Sequence, residues 1–275
     1  MRKLGYAKSV IGKVGGAAMA AALMLPGTAS ALELSADQKR AIVAILTAPK
    51  GAPGSSIDNP SGFGANWGSV FFGVGGTHVP SDERGPDADS WDGSASVGFG
   101  YGDSSSVVGV EVVANIISLT DNGTDSDVGD DTSWSAKIHR MVTDTSSISV
   151  GWENFGGRGA AEDATINRYI AYSGFTALAD DPMKPFVFSY TIGVGTERFN
   201  RGEDSSVGVF GSVALQLTRQ LAVIVDANRN GTNVGLSMVP INSLPLTVSV
   251  SAFDVNEESS ENTRYGASLG YSHTF

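Results

Sequence analysis

The sequence predicts an all-β chain folded as a transmembrane, antiparallel up-and-down β-barrel of about twelve strands, with ten as the alternative count and a short helix ahead of the barrel. Three observations carry this. Bulky apolar residues alternate with small polar ones along most of the chain beyond residue 64. The alternating runs are separated by connections that are by turns long and short. After the first thirty residues, no apolar run is long enough to make a membrane-crossing helix.

Residues 1–31 read as a cleaved secretory signal. Arg2, Lys3, Lys8 and Lys13 precede the apolar run Val14–Leu25, Pro26 and Gly27 break it, and Ala29-Ser30-Ala31 supplies the small residues a signal peptidase needs. The run is too short for a membrane anchor. Residues 32–63 read as a helix and a linker. In Leu34–Ala48, Ser35 and Gln38 have capping-box spacing, Ile42, Ile45 and Leu46 make one apolar stripe, and Pro49 stops it. Gly51–Gly64 is rich in Gly, Pro, Ser and Asn, the composition of a connecting segment. The helix has three open positions: in the periplasm, on the membrane surface, or inside the barrel with Lys39 and Arg40 beside lumenal acids.

Residues 64–275 form the barrel. The last segment sets Tyr265, Ala267, Leu269, Tyr271, His273 and Phe275 on one face and Gly266, Ser268, Gly270, Ser272 and Thr274 on the other. Leu246–Ala252, Phe186–Gly195 and Ser94–Tyr101 repeat the division. A soluble sandwich faces water with Lys, Glu, Thr and Arg, whereas Gly and Ser opposite bulky apolar residues fit a wet interior and a lipid-facing exterior. The strands fall at about 67–76, 94–102, 106–117, 133–141, 147–154, 166–176, 186–197, 207–217, 221–228, 232–239, 246–255 and 264–275. Odd-numbered connections read as external loops and even-numbered ones as periplasmic turns. Ala177–Pro185 is long for a turn and Arg229–Gly231 short for a loop, which keeps ten strands open.

Composition narrows the function. The formal charge of −11 excludes a basic face for nucleic acid. Zero cysteines exclude disulfides, thiol catalysis and cysteine-ligated metals. With only His78, His139 and His273 available, and no spacing that singles out an acid-base pair, no catalytic residue and no cofactor is predicted. The alternation turns four ionisable residues inward from three adjacent strands: Glu111, Lys137, His139 and Glu153. They make either a charged constriction that selects solutes or a lumenal ion-pair cluster. The external acids Asp121, Asp125, Asp127, Asp130 and Asp131 resemble a calcium loop in composition but lack its ligand order and closing Glu, so a solvated acidic loop is the alternative to a divalent-cation site.

The signal, the amphipathic strands and the terminal Phe275 together resemble a Gram-negative outer-membrane β-barrel protein of the porin-like class. Asp92-Gly93-Ser94 through Asp103, Lys137–Arg140 and Gly151–Asn154 also look like uncharacterised outer-membrane proteins. The resemblance implies a bacterial outer-membrane location and contact with its lipid and lipopolysaccharide. It also implies that the assembly machinery reads Phe275 as its signal. His273 departs from the class, which usually has an aromatic or aliphatic residue there. Two functions follow as expectations: a passive diffusion channel for small hydrophilic, neutral or cationic solutes, or a closed structural barrel working through its acidic external loops.

Overall fold

A computed structural model describes residues 51–81, 89–119, 131–163, 165–178, 186–200, 207–258 and 262–275. The signal segment, the helix expected over Leu34–Ala48, and Asp121, Asp125, Asp127 and Asp130 lie outside the described residues. Twelve strands appear: β1 (Ser69–His78), β2 (Trp91–Gly102), β3 (Gly109–Ile116), β4 (Thr132–Thr143), β5 (Ser146–Arg158), β6 (Asn167–Ala177), β7 (Val187–Gly195), β8 (Gly208–Thr218), β9 (Leu221–Asn228), β10 (Gly231–Met238), β11 (Leu246–Phe253) and β12 (Arg264–Thr274). Each pairs antiparallel with its sequence neighbours. β12 then pairs with β1, from Ser69 opposite Thr274 to Thr77 opposite Gly266, and the sheet closes. Closure leaves no strand edge unpaired, which a barrel in lipid requires.

The two connections that kept ten strands open both join real hairpins. Arg229 and Asn230 alone link β9 to β10, with Asn228 opposite Gly231, and Gly231 sits at φ 118°, where a side chain would be strained. Leu178 donates to the Phe186 carbonyl at 2.7 Å across the base of the β6–β7 connection. Three boundaries move by three residues or more: β2 begins at Trp91 rather than near 94, β5 runs on to Arg158 rather than 154, and β3 begins at Gly109 rather than near residue 106. Asp103 draws the intervening residues into a turn, accepting from Ser105 N (2.8 Å), Ser105 Oγ (2.7 Å) and Ser106 Oγ (2.6 Å).

The period of two sorts the faces as expected. Val70, Phe72, Val97, Phe99, Ile138, Ile148, Val150, Ile170, Ile192 and Val250 are exposed on the outside. Ser133, Ser147, Ser149, Ser173, Ser189, Ser212 and Ser237 are buried inside. Exposed aromatic residues sit near both rims. Trp67, Tyr101 and Phe275 flank the rim that carries the C terminus, with Trp67 edge-on to Tyr101 at 5.5 Å, while Trp91, Trp134 and Tyr265 flank the opposite rim. An apolar band between aromatic girdles is how a barrel meets a bilayer.

The interior is not uniformly small and polar. β6 and β8 turn Tyr169 and Phe210 inward, where they bury with Ala171 and with Phe199 from a short 3-10 turn after β7. The Phe199 and Phe210 rings lie 4.3 Å apart. This side of the barrel has a core, and the strands across from it do not.

Candidate functional site

Residues 51–66, which take in the Gly51–Gly64 stretch that composition marks as a connecting segment, run inside the barrel as an irregular strap. Pro53 and Pro60 have no N–H, and nothing in the segment alternates, so it cannot join a ladder. Its backbone groups still need partners once they leave water. Wall side chains supply them. The strap enters beside Pro245, where Thr247 Oγ1 donates to the Ala52 carbonyl at 3.1 Å, and Gly54 N donates to Ser237 Oγ at 2.7 Å.

At the apex, one carboxylate collects four donors. Asp226 Oδ2, fully buried on β9, accepts from Ile57 N (2.9 Å), Asp58 N (2.8 Å), Asn59 N (3.1 Å) and Ser56 Oγ (3.1 Å). Three consecutive N–H groups converging on an anion form a backbone nest, here with the anion built into the wall. Asn59 Nδ2 adds bonds to the Gly211 carbonyl (2.8 Å) and Ser212 Oγ (3.1 Å).

The strap then descends along β5 and β6 to β4 and β3. Gly62 N donates to Ser173 Oγ (2.8 Å), and Ser149 Oγ donates to the Ser61 carbonyl (2.9 Å). Ala65 N donates to Glu111 Oε2 (2.8 Å), and the Ala65 carbonyl accepts from His139 Nε2 at 3.0 Å, so that nitrogen carries the proton. Gly100 on β2 is the close approach, since a Cβ there would collide with the backbone of Ala65 and Asn66.

The four ionisable residues expected inside divide into two groups, both tied to the strap. Glu111 Oε1 and Lys137 Nζ form a nearly buried ion pair at 3.0 Å, and buried His139 turns to Ala65. Glu153 stands apart, gripped by Arg198 through Nε (2.8 Å) and Nη2 (3.1 Å) and by Asn167 Nδ2 (3.1 Å). Arg198 also reaches the strap, pairing with Asp58 Oδ2 at 3.0 Å. Burial works against the Arg198 charge, but Asp58 and Glu153 outweigh it and raise its pKa. Asp131 is buried at the start of β4, its carbonyl accepting from Ile117 N at 2.8 Å. Among the described residues no cluster of three or more His, Asp or Glu is placed to hold a metal. His78 lies edge-on to Trp91 at 6.0 Å.

Sequence reasoning missed Asp226 and Arg198. Asp226 had a signal: it shares the inward parity of Ala222 and Ile224 on β9, a lone charge on a lumenal face. Arg198 had none, because a single 3-10 turn, not an alternating strand, aims it inward.

What the strap leaves is a cavity of about 1400 Å³. One side is β11, β12, β1 and β2, presenting Thr247, Ser249, Ser251, Gly73, Gly75, Ser94 and Ser96; the other is the strap together with Glu111, Lys137, Glu153 and Arg198. All of Gly266–Phe275 borders it, so it follows β12 from near one rim to the other.

Compared with known proteins, the chain matches no family model and no curated protein. Among solved structures it is similar to the low-pH structure of Pseudomonas putida OprB, at 9% identity over 74% of this chain and 91% of that one, with a TM-score of 0.25. That likeness is too distant to bear on function.

Proposed function

We propose that this chain is a non-enzymatic outer-membrane channel through which small hydrophilic solutes diffuse passively. The exposed apolar band and aromatic rims support placement in lipid, with the long connections outside the cell and Phe275 at the periplasmic rim, where the assembly machinery would read it. The observation that carries the channel is the cavity bordered by the whole of Gly266–Phe275. Strand residues rise about 3.4 Å each and tilt about 40° in such barrels, so this stretch spans roughly 25 Å of height and about 1400 Å³ averages a bore on the order of 8 Å across. Such a bore admits ions and single-sugar-sized molecules.

The selectivity proposed is for neutral and cationic solutes. Acids outnumber bases 29 to 18 in the whole chain, and the lumenal bases Lys137 and Arg198 are each matched by carboxylates. Single-channel recording in planar bilayers tests both statements. Open-channel current should appear with K⁺ preferred to Cl⁻ at low salt, the preference fading as salt rises and surface charge is screened within about 10 Å at 0.1 M. Absence of current from folded protein would leave the closed structural barrel, and an anion preference at low salt would remove the charge argument.

A further inference from the structure

We propose that residues 54–64 are the size-selecting element of this pore: the strap, held at its apex by Asp226, divides the bore, and releasing it widens the passage to larger polar solutes. The inference rests on the diffusion-channel reading and deepens it.

The strap is a wall of the cavity and not merely filling behind one. Gly54, Ser56, Asp58, Ser61 and Gly64 all line the space. Among the described residues no strand ladder includes the segment, whereas every barrel strand is paired on both sides. Its hold on the lumen is a short series of side-chain contacts, densest at the four donors on Asp226. A segment fixed this way opens at lower free energy than the wall around it. The wall behind it needs no strap to close, since β12 meets β1 through their own ladder.

The test uses the full-length secreted chain in planar bilayers and in liposomes swollen with neutral sugars of graded size, folding being checked by heat-modifiable migration. Asp226→Ala should raise single-channel conductance roughly twofold, as expected if strap and bore share the lumen about equally, and should admit larger sugars. Ser61 and Ser173 hydroxyls lie 3.3 Å apart and the chain has no cysteine, so Ser61→Cys with Ser173→Cys gives a reversible tether. In the Asp226→Ala background, oxidation should restore wild-type conductance and dithiothreitol should return the wide state. If Asp226→Ala does not fold, Asp58→Pro with Asn59→Pro removes two of the three backbone donors to Asp226 and frees the apex without altering the wall.

Wild-type conductance unchanged by every variant, tethered or reduced, overturns the strap as size filter and leaves the channel reading standing. No wild-type current but current from the freed variants supports the strap as an obstruction and overturns the open channel. No current from any folded variant overturns both.

Discussion

The two sides of the barrel interior follow one sequence rule and reach different ends. From β4 to β10, inward Ser149, Ser173, Ser212 and Ser237 receive a peptide. Around β11, β12, β1 and the first half of β2, inward Ser249, Ser251, Ser268 and Gly270 border open space. A lumenal hydroxyl satisfies a strap N–H or a water equally well, so small polar residues on the inner face specify that the inside is polar and not what fills it. What separates the sides is charge and bulk: Asp226, Glu111 and Arg198 anchor the filled side, Tyr169, Phe199 and Phe210 thicken it, and Gly270 has nothing within 4 Å of where a Cβ would stand.

The sharpest way to break this comparison is to place the same side chain on both sides. Gly100→Leu, in the second half of β2 where the strap crosses it, drives a branched side chain into the Ala65 and Asn66 backbone, which cannot yield as a side-chain tip would. Overpacking of this kind should cost at least about 3 kcal/mol, seen as loss of heat-modifiable migration or a large fall in the urea midpoint of the refolded barrel. Gly270→Leu should fold like wild type, and Gly270→Trp should fold yet cut conductance severalfold. Equal damage at the two glycines would mean that the sides do not differ in filling.

Asp226→Ala comes next in stability. It strips the acceptor from three consecutive buried or half-buried N–H groups, while the Ser56 hydroxyl keeps the Asn59 carbonyl, and unsatisfied groups of this kind cost about 1 kcal/mol or more each, so a loss of about 3 kcal/mol is expected in urea titration. No substitution of one serine on the open side should approach it.

The Glu111–Lys137 pair gives an effect of similar size and a more diagnostic one. Breaking a nearly buried pair from one side leaves a lone charge, so Lys137→Met should destabilise by about 3 kcal/mol, while Lys137→Met with Glu111→Gln should recover most of that. The double variant keeps an oxygen for Ala65 N, so the strap stays anchored there. A double variant as unstable as the single one would show that the pair acts through something other than charge compensation.

How much of this was legible follows from where the information sits. Period-two alternation is written into each strand, and all twelve strands could be read, including the tight β9–β10 hairpin whose shortness argued against it. The inward placement of Glu111, Lys137, His139 and Glu153 came from the same parity, and Glu111 and Lys137 meet across the β3–β4 ladder, but their other partners did not. Parity gives no neighbour beyond the ladder: Ala65, which binds Glu111 and His139, and Arg198, which grips Glu153, come from stretches with no period at all. The strap reads as a linker because its order is held elsewhere, in Asp226 and the wall serines. The start of β3 was misjudged for a related reason: Ser106, Val107 and Val108 have strand-like composition, but Asp103 captures the preceding turn.

That turn carries the smallest expected effect. Partial burial pushes the Asp103 carboxyl up, but hydrogen bonds from Ser106 and Ser105 outweigh it and hold its pKa below the ordinary carboxylate value. A carboxyl lowered in the folded state contributes stability above its unfolded value, about 3.9, and loses that contribution as pH falls through the lowered folded value. The group is exposed and solvent-screened, so the contribution is below about 1 kcal/mol. Asp103→Ala should therefore lower the urea midpoint slightly at pH 7, and the gap from wild type should narrow at a pH below the folded value. The same comparison on Asp226→Ala should keep a large gap at neutral pH, because that carboxylate holds a strap and not only a turn. A gap for Asp103→Ala that is as large as that for Asp226→Ala at pH 7 would place the β2–β3 turn, and not the strap, at the centre of the barrel's stability.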